Sequence, residues 1–186
     1  MGAASQERRS KAINQTGGQV MQTFLPYPSF RESARCLDTK RLGKQRVECK
    51  QILVALGADV GDHRGNLMSR WRNHPAVKMW RGHEHSLAEY AEVMCIVWKQ
   101  RGFKDTLRDQ FSETSLRIYA YAELAKKKWG SKWNPASAPK WLGCERLHAS
   151  HRSNLLRKDA THYGQFGWSE TADLPYWWPT QQETAA

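Results

Sequence analysis

The sequence predicts an all-α fold: a compact single-domain helical protein with long loops and an aromatic C-terminal tail. Three observations carry this. Apolar residues recur at helical spacing, most clearly in Trp80, Leu87, Ala91, Met94 and Trp98, which step by 7, 4, 3 and 4. Capping side chains precede the periodic stretches, and glycine closes them. No stretch shows the sustained alternation of a half-buried strand.

The elements follow in order. Residues 1–20 are polar, with a small basic cluster at Arg8, Arg9 and Lys11, and read as an extension ahead of the domain. Ser29-Phe30-Arg31-Glu32 is a capping box, so a short helix starts at Phe30. Asp38 is the N-cap of a helix over roughly 39–56, closed by Gly57. Its apolar face is Leu42, Cys49, Ile52, Leu53 and Leu56; its polar side is Arg41, Lys44, Gln45 and Gln51, with Glu48 on the border. Residues 57–72 read as a loop. Pro75 opens a long helix over about 75–101, stopped by Gly102. A further helix covers 112–128, its Lys126, Lys127 and Lys128 suited to the negative C-terminal end. A loop with Pro and Gly spans 129–143, a last helix spans 144–159, and the tail is aromatic and irregular.

With 186 residues, 40% of them hydrophobic, the chain suits one domain over 21–179 followed by a short tail, 180–186. The formal charge of +11 and a pI near 9.7 favour a polyanionic partner. No apolar run reaches the ~20 residues of a membrane span, and residues 1–20 lack the apolar middle of a secretory signal. A cytoplasmic protein without a membrane role is expected. Cys36, Cys49, Cys95 and Cys144 form no C-x-x-C pair, so free thiols in a reducing compartment are expected.

Three stretches have the composition of a functional site. In 144–159, His148, His151, Arg152, Arg157 and Lys158 offer several donors to phosphate, or form a solvated basic face. Cys144, His148 and His151 also step like metal ligands, but a fourth ligand is missing and no metal is expected. In "RWRNHPAVKMW" (70–80), Arg70, Arg72, His74 and Lys78 interleave with Trp71 and Trp80, which suits a nucleic acid with an exposed base. Alternatively the tryptophans are core, and Asn73 and His74 cap the helix. Glu48 lies beside an apolar face, where burial raises a carboxyl pKa toward acid–base work. The alternative is an ordinary pair with Lys44 one turn away.

The blocks "TFLPYPSF", "LDTKRLGKQRVE", "RNHPAVKMWRGHE", "KQRGF", "SHRSNLLRKD" and "DLPYWWP" together resemble the pyrimidine-dimer DNA glycosylase family, the T4 endonuclease V type, and within it a bacterial and phage branch. The resemblance covers roughly 21–179. It implies an all-α, cofactor-free, monomeric repair enzyme in a bacterial or phage-infected cell. Such an enzyme acts on double-stranded DNA, cuts the glycosidic bond of a damaged or modified pyrimidine, and nicks the strand as an AP lyase. The family's catalytic glutamate lies eleven residues after a leucine, as Glu48 does after Leu37. A family lysine that contacts the DNA backbone maps to Lys158, and a neighbouring family arginine is replaced by Asn154. His151 and Arg152 lie within the branch's own motif, and Arg41, Lys44 and the Arg70–His74 stretch complete the expected DNA contacts.

The nucleophile implied by the resemblance is the α-amine of the mature N-terminal residue, here at Met21 or Gln22. An α-amine with a pKa of about 7.7–8 is partly neutral at pH 7, unlike a lysine near 10.4. Within the full chain these nitrogens are amides. Three outcomes stay open: a mature start at Met21 or its neighbour; a lysine, Lys44 or Lys158, as substitute; or DNA binding without lyase chemistry. A non-catalytic DNA-binding protein of the same fold, and an enzyme acting on hypermodified phage bases, are the rival functions.

Overall fold

A computed structural model describes residues 21–58, 60, 71–132, 134 and 136–179. Its helices are α1 (Phe30–Cys36), α2 (Thr39–Ala55), α3 (Pro75–Trp80), α4 (Glu84–Gln100), α5 (Arg108–Trp129), α6 (Glu145–Lys158) and α7 (Ala160–Tyr163), followed by a 3-10 turn at Gly164–Phe166. Among the described residues there is no strand, and no helix is long and apolar enough to cross a membrane.

The caps sit where the sequence puts them. Ser29 Oγ accepts the Glu32 N–H at 3.2 Å, and Asp38 Oδ1 accepts the Arg41 N–H at 2.9 Å. Gly57 follows α2 at φ 86°, a left-handed conformation that suits a residue without Cβ. Inside α2, Gly43 allows a close crossing: a Cβ there would lie 2.9 Å from the Trp98 ring of α4.

The long helix expected over 75–101 is two helices. His74 Nδ1 caps α3 by accepting the Ala76 N–H at 3.2 Å, and Gly82 then turns the chain at φ 83°. The Glu84 side chain accepts the Gly82 N–H at 2.9 Å, which fixes the corner ahead of α4. Trp80 and Leu87 are both buried, so the apolar line runs across the break without losing phase. The helix expected from 112 begins earlier, because Asp105 Oδ2 accepts the Arg108 N–H at 2.8 Å. The short α7, absent from the sequence reading, is capped by the Asp159 side chain, which accepts the His162 N–H at 3.0 Å.

Helix α4 is the hub, packing on α1, α2 and α5. Trp80, Tyr90, Phe111, Leu147 and Tyr163 are among the bulky side chains removed from solvent. Cys36, Cys49 and Cys95 are buried free thiols, and Cys144 is half-buried and free. The tail straps back over α6. Leu174 N–H donates to Ser153 Oγ at 3.0 Å, and Asn154 Nδ2 donates to the Leu174 carbonyl at 3.2 Å. Asn154 is therefore a buried clasp. Residues 1–20, 61–70 and 180–186 lie outside the described residues, and with them the expected extension, the tail end and Arg70.

Candidate active site

Residues 21–26 run without regular structure through the interior, and all six are buried. A backbone segment removed from water needs partners for its N–H and C=O groups. Here side chains of α2, α4 and α6 supply them. Phe24 N–H donates to Gln45 Oε1 at 2.8 Å, and the Gln22 carbonyl accepts from Gln45 Nε2 at 2.9 Å. The Tyr90 hydroxyl donates toward the Phe24 carbonyl at 2.8 Å. Leu25 N–H donates to His151 Nδ1 at 2.8 Å, and the Leu25 carbonyl lies 2.7 Å from His148 Nδ1. Arg152 Nη1 donates to the Pro26 carbonyl at 2.9 Å.

This lacing places Gln22 against Glu48. The Glu48 side chain is buried, and burial raises its pKa from 4.5 to about 7. Opposing that, Lys44 Nζ lies 3.4 Å from Oε1, Gln45 Nε2 donates to Oε2 at 2.9 Å, and the nearby Gln22 backbone favours the ionised form. The pair with Lys44 and the raised pKa thus coexist. The result is a carboxyl near half-ionisation at neutral pH, beside the main chain of residue 22, whose carbonyl shares the Gln45 amide with it.

Cations surround it. Lys158, at the end of α6, has its pKa lowered by partial desolvation and by repulsion from Arg41, Arg157 and Lys44, while Glu48 pulls the other way. Arg157 is exposed and donates to Asn154 Oδ1. Arg41 is more committed: it pairs with Asp38 and lies with its guanidinium 5.5 Å from the Tyr163 ring centre. Tyr176 of the tail joins the group. Its hydroxyl pKa is pushed up by burial, with Arg157, Glu48 and Arg41 acting on it electrostatically.

The second basic stretch is reached through aromatic rings. The Tyr176 ring lies 5.7 Å from Trp178, Trp178 lies 6.4 Å from His74, and His74 lies 5.5 Å from Trp71. Arg72 and Asn73 are exposed beside the half-buried Trp71. Trp80 is core, its Nε1–H donating to Thr23 Oγ1 at 2.9 Å. His74 serves as the α3 cap, and burial lowers its pKa.

Two expected DNA contacts face inward instead. His151 is fully buried; burial lowers its pKa to about 3, so it is neutral and accepts the Leu25 N–H. It edges Phe24 and Tyr176 at 6.3 and 5.9 Å and supports the segment rather than meeting phosphate. Arg152 is held by Glu145, by Glu170 and by the Pro26 carbonyl, so its charge is spent within the protein. His148 accepts the Gly143 N–H at Nε2, 3.1 Å away, and is likewise buried. Among the described residues, no group of three or more His, Cys, Asp or Glu is placed to hold a metal.

Gln45 and Tyr176 were not singled out from sequence. Gln45 sits three residues before Glu48, on the same face at helical spacing, and that offset is the one signal available for it. For Tyr176 the signal was the aromatic block 176–178, which carries no register of its own.

Residues 21–111 match a family model described as pyrimidine dimer DNA glycosylase. The matched stretch holds Gln22, Arg41, Lys44, Gln45, Glu48 and Trp71–His74, and it ends inside α5. Neither a curated protein nor a solved structure matches the chain.

Proposed function

We propose that the chain, whose residues 21–111 match the pyrimidine dimer DNA glycosylase family model, excises damaged or modified pyrimidines, pyrimidine dimers among them, from double-stranded DNA, using Glu48 and the nitrogen of Gln22. The observation that carries this is the buried Glu48 carboxyl held against the Gln22 main chain: Gln45 Nε2 donates to Glu48 Oε2 and to the Gln22 carbonyl, each at 2.9 Å.

The steps depend on Gln22 being the first residue. Its free amine attacks C1′ of the sugar; the glycosidic bond breaks, and the base leaves with the bonding electrons and takes up a proton. The C1′–O4′ bond then opens, O4′ receives a proton, and a protonated imine remains on the amine. Loss of a C2′ proton expels the 3′ phosphate and cuts the strand. Glu48 is poised to give and take these protons because both its forms are populated near pH 7. As a carboxylate it also stabilises positive charge developing at the sugar. Lys44, Arg157 and Lys158 attract the phosphates on either side, and Trp71 offers a face for a base drawn from the stack.

With residues 1–20 attached, the Gln22 nitrogen is an amide and cannot form the imine. Lys44, 3.4 Å from the Glu48 carboxylate, and Lys158, whose pKa is lowered, are then the candidate amines. The full chain and a chain beginning at Gln22 are each incubated with UV-irradiated duplex and borohydride. The expected result is a trapped protein–DNA adduct with the Gln22-start chain alone. An adduct on the full chain that disappears in Lys44→Arg or in Lys158→Arg assigns the lysine route to that residue. No adduct and no nick from either chain overturns the Schiff-base chemistry. Undiminished DNA-linked function in Glu48→Gln leaves a binding protein, and cutting of modified but not irradiated DNA moves the substrate to hypermodified bases.

A further inference from the structure

Between Glu123 and Glu145 the chain carries five lysines, Lys126, Lys127, Lys128, Lys132 and Lys140, and no acidic residue. All five are exposed, and the excision chemistry uses none of them. The helix dipole accounts for the three in the last turn of α5. It does not account for Lys132 and Lys140, which lie beyond the helix.

Trp129 is the second observation. Phe111, Thr114, Ala122, Ala125 and Trp129 step by 3, 8, 3 and 4, so they line one side of α5. The first four are buried, but Trp129 is 60% exposed. The cause is the length of α5. It runs antiparallel to α4: Arg108 meets Glu92 at 3.4 Å, and Tyr119 meets His85, the second residue of α4, with ring centres 6.2 Å apart. The rest of α5 passes the start of α4, and its last inward side chain overhangs. At 100° per residue, Lys126 falls about 60° to one side of Trp129 and Lys128 about 100° to the other, while Lys127 falls on the far side. Lys128 Nζ lies 5.2 Å from the centre of the Trp129 ring. The loop that follows leads back to the candidate site. Its Trp141 ring lies 4.9 Å from Trp80 of α3, the helix that His74 caps. Just past it, the exposed Arg146 holds its guanidinium 5.7 Å from the Trp177 ring, between Tyr176 and Trp178 in the tail.

We propose that Lys126, Lys128, Trp129 and Lys132 form a second DNA contact, which holds the nucleic acid outside the excision site, with Lys140 and Arg146 leading back toward that site. The ammonium groups meet phosphates, and the Trp129 ring takes a base or sugar face. A run of one charge sign is commonly just solvated. A bare tryptophan with cations on both sides is not explained by solvation, and a polyanion that carries flat rings complements both features. The inference rests on the chain acting on DNA, but not on the imine chemistry.

The experiment is fluorescence anisotropy of the full chain with labelled, undamaged DNA, duplex and single-stranded, between about 50 and 200 mM salt. No cleavage is involved, so a failed adduct assay leaves this test readable. A chain with Lys126→Gln, Lys128→Gln and Lys132→Gln should lower the slope of log K against log salt by about two to three on the duplex, with its circular dichroism spectrum unchanged. Lys127→Gln, on the far side, should leave the slope as it is. Trp129→Ala should weaken binding roughly ten-fold, the worth of one stacked base, without changing the slope. A loss confined to the single strand upholds the contact through a base, and a loss on both forms upholds it through the sugar face. Slopes and affinities equal to the parent's on both forms overturn the proposal. So does an unchanged slope in the triple variant when Lys158→Gln lowers it, since all the phosphates then lie at the excision site. Lysine variants that lose binding to anionic lipid vesicles but none to DNA overturn it as well.

Discussion

Replacing Glu48 by glutamine is expected to stabilise the fold while removing the chemistry, and the gain is set by pH. Burial moves the carboxyl pKa from 4.5 to about 7. Between those values the folded chain holds a proton that the unfolded chain has released. A raised carboxyl pKa therefore lowers stability as pH climbs through this window, with the loss complete above pH 7. A change of about 2.5 in pKa at about 1.4 kcal/mol each corresponds to about 3 kcal/mol. At 4% exposure, solvent screens little of this. The amide carries no charge to desolvate, and its oxygen still accepts from Gln45. Lys44, whose side chain is 39% exposed, loses a partner but keeps water. The assay is urea unfolding of Glu48→Gln and the parent chain from pH 4 to pH 9. The two stabilities should run parallel below pH 4.5 and separate by about 3 kcal/mol in favour of the variant above pH 7. A gap that does not change with pH, or a variant less stable at pH 8, refutes the reasoning. It would mean that Lys44, Gln45 and the Gln22 backbone outweigh burial.

Gln45→Leu removes the side chain that ties the Gln22 carbonyl, the Phe24 N–H, the Tyr90 hydroxyl and Glu48 together. Several buried groups then lack partners, so urea unfolding should show a loss of about 3–5 kcal/mol. In any folded fraction the acid limb of the activity profile should move to higher pH, since a donor to the carboxylate is gone. Lys158→Gln should weaken duplex binding about equally for all sequences. It should also lower the salt dependence of log K by about one unit of slope, read by fluorescence anisotropy between about 50 and 200 mM salt. Since Lys158 sits among like charges, this variant should unfold no more easily than the parent; a clear loss of stability would show that the lysine is held by an attraction instead.

How much of this was legible varies from residue to residue. Ser29 and Asp38 announce their helices because a cap is a contact within three residues, and local contacts are written in local sequence. The corner at Gly82 was hidden because Trp80 and Leu87 stay seven apart and both face the core, so periodicity alone reports one helix. Glu48 was correctly placed on the border of two faces, yet its environment depends on Gln22, 26 positions earlier, and on α6, about 100 later. His148 and His151 looked like part of a basic face because histidine beside arginine suggests charge. Their partners are backbone groups of Leu25, more than 120 residues away, and neutral imidazoles serve those groups better than charged ones. Arg152 misled in the same way: Glu170 neutralises it from the tail.

The lacing of residues 21–26 also sets an order in time. Leu25 is among the first residues of the domain to be synthesised, but its buried N–H and C=O wait for His151 and His148, 126 and 123 positions later. Met21 is 2% exposed once they arrive. Any enzyme that exposes the Gln22 nitrogen must therefore reach it while the chain is still being made or before α6 docks. Afterwards the bond to be cut lies inside the molecule. Adding an aminopeptidase that accepts glutamine after the bond it cuts to a Met21-start chain, before and after refolding, reads this directly: cleavage should be efficient in the first case and slow in the second. The N-terminus would then be fixed by a race between trimming and folding, and a chain that loses the race carries Glu48 and Gln45 beside a nitrogen that cannot react.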